Sequence, residues 1–82
     1  MSDAFTDFLL RGDHITLDAL LKASGMANSG GAAKQLILGG SVRVNGEVEL
    51  RRGRKLRDSD RVQVGAGAAL IVRGPATHLP AA

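Results

Sequence analysis

A chain of 82 residues has room for one hydrophobic core, and with two Phe, no Trp and no Tyr that core must be largely aliphatic. The lack of cysteine excludes disulfides and thiolate metal sites and is compatible with a cytoplasmic location, while no apolar run approaches the roughly 20 residues that span a bilayer. The net charge of +3 is unevenly placed, with two basic groups against four acids in residues 1–33 and eight against four in residues 34–61.

Met1-Ser2-Asp3-Ala4 carries an acid and no basic n-region, so no secretory signal is expected there. Residues 5–73 are expected to form a single domain, with 1–4 and 74–82 as flexible termini. Phe5 to Arg11 contains the apolar run Phe8-Leu9-Leu10, fit for an edge strand, and Gly12-Asp13-His14 breaks it. Thr16 is placed to cap a helix through its hydroxyl, with Asp18 at the positive end of the dipole. Leu17, Leu20 and Leu21 share one face of that helix, and Gly25 stands where a left-handed cap is wanted.

Asn28 or Ser29 caps a second helix whose buried stripe is Ala33, Leu36 and Ile37, and Gly39-Gly40 ends it. Gly30 and Gly31 in its first turn each lower helix propensity by roughly 1 kcal/mol relative to Ala. In exchange they let another chain approach the exposed amides. After the strand Val42-Arg43-Val44, a two-residue Asn45-Gly46 loop would set Val42 against Glu49. A three-residue loop would pair Arg43 with Glu47 and Val42 with Val48, which separates charge from core and puts Leu50 on the Val48 face. The three-residue loop is preferred on that ground. Leu56 is the one apolar anchor of the basic run that follows, Asp58-Ser59-Asp60 reads as a turn, and Val62, Val64 and residues 69–72 complete the strands. The expected fold class is α+β, a helical hairpin packed on a small antiparallel sheet.

Catalytic chemistry has little material here. His14 and His78 are far apart and read as surface histidines, Asp58 and Asp60 as turn residues, and no phosphate-loop or dinucleotide fingerprint is present. No catalytic residue, metal site or cofactor is therefore expected. The distinctive feature is the run from Arg51 to Arg57, in which Arg51, Arg52, Arg54, Lys55 and Arg57 are basic. Arg predominates, and guanidinium forks match phosphate bidentately. Gly53 permits close backbone approach, and the run follows a helix-glycine-strand unit that would hold it in place. Without aromatic platforms for base stacking, the mode of binding expected is recognition of RNA backbone and shape.

The ordered combination Leu17-Asp18, Leu20-Leu21, Gly25, Ser29, Ala33-Lys34, Leu36-Ile37, Gly40, Val42 and Val44-Asn45-Gly46 resembles the S4-type RNA-binding domain, or alpha-L RNA-binding motif. The continuation Glu47-Val48-Glu49-Leu50-Arg51-Arg52-Gly53-Arg54-Lys55-Leu56 is similar to the short free-standing bacterial proteins of that superfamily. The resemblance implies binding of structured RNA, ribosomal or tRNA-like, and a ribosome-associated monomer. It implicates Ser29, Lys34, Arg43 and Asn45, to which the residues' own chemistry adds Gly30, Gly31 and the basic run. Where many members carry Arg directly after the capping Ser, this chain has Gly30. The alternative reading is an adaptor that docks its basic face on an acidic protein, since both roles need the same arginines.

Overall fold

A computed structural model describes residues 5–65 and 67–74. His78 and the expected loose ends at 1–4 and 75–82 lie outside the described residues. Gly74, assigned above to the tail, is held: its amide donates to Asp58 Oδ1 at 2.8 Å.

Among the described residues nine elements follow one another: β1 (Thr6–Leu9), β2 (Ile15–Thr16), α1 (Leu17–Ala23), α2 (Gly30–Leu38), β3 (Val42–Val44), β4 (Glu47–Val48), β5 (Lys55–Leu56), β6 (Arg61–Val64) and β7 (Ala68–Arg73). Five strands form one sheet in the order β1-β7-β6-β3-β4, and β2 pairs with β5 in a separate two-stranded ladder. The α+β class holds. The main sheet is mixed, however, because β1 runs parallel to β7 at its edge while the other pairs are antiparallel.

Alternation along each strand decides which face is covered. Val42 and Val44 on β3, Val62 on β6, and Leu70 and Val72 on β7 are buried, and so are Leu17, Leu20, Leu21, Ala33 and Ile37 from the two helices. Leu56 joins this cluster with no exposure at all. Leu36 is only half-buried and packs against the margin. In the apolar run Phe8-Leu9-Leu10, which ends β1 and continues one residue past it, Leu10 is buried while Leu9 is 71% exposed.

The helix ends show how local chemistry fixes the hairpin. Ser29 is the cap of α2, its Oγ accepting from the Ala32 amide at 3.2 Å. At the other end Gly40, at φ +81°, lets the amides of Gly40 and Ser41 donate to the carbonyls of Ile37 and Leu36. At α1 the expectation for Thr16 fails. Its hydroxyl donates to Asp18 Oδ1 instead of accepting from the helix. The first amides of α1 are satisfied by main-chain carbonyls from the basic run: Leu17 donates to Arg54 and Asp18 to Arg52.

The preferred register of the β3–β4 hairpin is also corrected. Arg43 pairs with Val48 and Val44 with Glu47, so the loop is the two residues Asn45 and Gly46, both left-handed at φ +53° and +91°. The premise behind the longer loop was that an acid would stay off the core face. Instead Glu49, whose amide donates to the Val42 carbonyl, is buried on that side, and Val48 and Leu50 are exposed.

Candidate nucleic-acid interface

The basic run is a turn held at several points. The Arg54 amide donates to the Arg51 carbonyl at 3.3 Å, which places Arg52 and Gly53 at the tip. Two bonds to the first amides of α1 hold the turn from one side, and the Ile15–Leu56 pairing of β2 with β5 holds it from another. The Leu56 side chain anchors it from below. Gly53 has no positive φ, and nothing lies within 4 Å of where a Cβ would stand. Its backbone is open to close approach.

Glu49 organises the arginines. Its Oε2 accepts from the Arg51 amide and Arg51 Nε, both at 3.0 Å, and its Oε1 accepts from Arg54 Nη1 at 2.8 Å. A longer contact from Arg51 Nη2 reaches Oε1 at 3.5 Å. An ionised carboxylate buried without such donors would carry a desolvation penalty of several kcal/mol. The Arg51 contact, followed by that of Arg54, holds the Glu49 pKa down at about 2, and the same contact raises that of Arg51. Sequence reasoning missed Glu49. The available signal was the Asn45-Gly46 pair, whose two-residue loop sets Glu49 opposite Val42.

The remaining candidates fall into separate groups. Arg52, Lys55 and Arg57 are exposed, and none of their side chains joins an ion pair among the described residues. Arg43 projects from the open face of β3 beside Gln63 of β6. Asn45 serves the fold: its Oδ1 accepts from the Arg61 amide at 2.9 Å, and its Nδ2 donates to Asp60 Oδ1 at 3.1 Å. Ser29, Gly30, Gly31 and Lys34 are exposed at the start of α2. The basic turn therefore meets a helix N-terminus, but it is that of α1, with its first two amides already bonded. The glycines open α2, which follows the far end of α1, and no hydrogen bond among the described residues joins the two groups.

The sequence profile of the S4 domain matches residues 8–72, which covers both helices, both hairpin strands and the basic turn. The chain belongs to the S4 domain family. S4 domains are in general RNA-binding modules. A comparison with curated proteins gave no significant match. Among the described residues of this S4 domain, no three His, Asp or Glu side chains gather as a metal ion would require. No helix among them is long and apolar enough to cross a membrane.

Proposed function

We propose that the chain is a non-enzymatic module that recognises structured RNA through its backbone and shape. The observation that carries this reading is the Arg51–Arg57 turn, which combines exposed guanidinium and ammonium groups with a main chain bonded to α1 and anchored by Leu56. Cations carried on a main chain that is fixed before binding lose less conformational freedom when a phosphate arrives. Arg52 at the tip, Lys55 and Arg57 are the direct contacts in this proposal. Arg43, Lys34 and the first turn of α2 extend the surface, and Ser29 holds that turn.

Binding of a fluorescently labelled RNA hairpin at increasing salt tests the reading. With about four to six phosphate contacts, log K is expected to fall against log salt with a slope of about −3 to −5. Arg52→Ala should weaken binding by about 1 kcal/mol and make the slope shallower, with the melting temperature unchanged. A salt-insensitive affinity, or a preference for an acidic protein over the hairpin in direct competition, would overturn the RNA assignment.

Gly31 separates stability from binding. A Cβ built there would meet only Ser29 Oγ, at 3.9 Å, and the backbone is not left-handed. Gly31→Ala should therefore stabilise α2 by up to about 1 kcal/mol. In the proposed interface the added methyl obstructs a phosphate at the first-turn amides, so RNA affinity should fall while the melting temperature rises. Unchanged affinity would confine the interface to the basic turn.

A further inference from the structure

Glu49 is an odd residue to find at the base of a turn that binds anions. It is 7% exposed, and its charge opposes that of any phosphate nearby. Buried ion pairs also contribute little to net stability compared with well-packed apolar side chains, so the core alone does not call for an acid here. Among the described residues, every hydrogen bond that the Glu49 side chain accepts comes from Arg51 or Arg54, the two ends of one turn.

We propose that Glu49 is a positioning residue that fixes Arg51 and Arg54 as the two walls of a preformed seat for an RNA phosphate. This rests on the RNA reading above. A guanidinium carries five N–H donors. Glu49 takes the Nε and, more distantly, the Nη2 of Arg51, and the Nη1 of Arg54. Among the described residues no acceptor engages the Nη1 of Arg51 or the Nε and Nη2 of Arg54, which remain for a ligand. A surface depression is lined by these two arginines with Gly53 and Lys55, where the glycine leaves room and the lysine adds charge. Long flexible side chains thus enter binding with their rotamers already set.

The test rests on the sign of an effect. Glu49→Gln removes a negative charge beside the ligand, so the summed field alone predicts tighter RNA binding. Loss of positioning predicts weaker binding, about tenfold, because the Gln amide cannot accept from both guanidinium groups. The full chain is titrated with the labelled RNA hairpin, and the folded fraction of each sample is checked by circular dichroism. In the Glu49→Gln background a further Arg51→Ala change should have little additional effect, whereas in the wild type it should weaken binding several-fold.

Arg54→Lys supplies a second arm that keeps the formal charge on a partly exposed side chain, 31% accessible, so folding is not at stake. It should weaken binding about fivefold through loss of the fork. A folded Glu49→Gln protein that binds as tightly as wild type or tighter overturns the proposal. So does undiminished binding by Arg54→Lys if Glu49→Gln does not fold. Should the wild type fail to bind the hairpin at all, the RNA reading is what fails. The seat is then decided by titrating inorganic phosphate against the Arg51 and Arg54 Nε–H resonances. Shifts that vanish in Glu49→Gln, or at the Arg51 Nε–H in Arg54→Lys if that variant alone folds, support it, and absent or unaltered shifts overturn it.

Discussion

Leu56→Ala is expected to destabilise the domain by about 2–5 kcal/mol, a large share of what an 82-residue chain can hold in reserve. Leu56 sits within a run of arginines and lysine, yet its side chain is fully buried among the leucines of α1 and the valines of the sheet. Its backbone pairs with Ile15, next to the point where the turn caps α1. Truncation leaves a cavity where three elements meet, and the surrounding helix and sheet can close it only in part. Leu50→Ala is the matched control. That leucine is 53% exposed, and its loss should change stability by no more than about 0.5 kcal/mol. Urea unfolding of the two variants checks the contrast. If Leu56→Ala costs less than about 1 kcal/mol, the basic turn is not docked on the core.

Those two leucines also show how much of the fold was legible in the sequence. Stripes at helical spacing identified Leu17, Leu20, Leu21, Ala33 and Ile37 as core, and Gly25 and Gly40 adopt the left-handed angles expected at helix ends. Such signals are local, each carried by side chains a few residues apart. The parallel pairing of β1 with β7 joins segments at opposite ends of the described chain, and nothing in either strand encodes its partner. The cap of α1 was misread for a related reason. Thr16 carries a capping side chain, but the acceptors used are the carbonyls of Arg52 and Arg54, which leave no mark on residue type.

The candidate site was legible in its cations and illegible in its anion. The basic residues from Arg51 to Arg57 stand out by composition, and the exposure of Arg51, Arg52, Lys55 and Arg57 follows from charge. Hairpin register, in contrast, rested on the idea that carboxylates avoid core faces. That rule fails where neighbouring arginines satisfy the carboxylate, and a one-residue difference in the loop then moves Glu49 from one face to the other. Asn45 was implicated in binding by resemblance, but its side chain is engaged in tying the β3–β4 turn to β6.

Glu49 also makes a prediction about acid stability. Hydrogen bonds from Arg51 and then Arg54 bring its pKa from 4.5 down to about 2 in the folded protein. The unfolded chain therefore takes up this proton first as pH falls. The stabilisation is complete above about pH 5 and is lost progressively as pH drops through about 2. At full value the shift corresponds to about 3 kcal/mol, and solvent screening of the Arg51 partner, 76% accessible, reduces this to on the order of 1–2 kcal/mol. Melting curves of wild type and Glu49→Gln should be separated at neutral pH, with the wild type more stable. The two should converge as Glu49 is protonated in the acid range, because a neutral carboxyl group and a neutral amide then occupy the same place. A separation that persists unchanged below pH 2 would mean that shape, not charge, accounts for the loss in the variant. Equal stability at neutral pH would remove the Arg51–Glu49–Arg54 cluster from the forces that hold the basic turn in the fold.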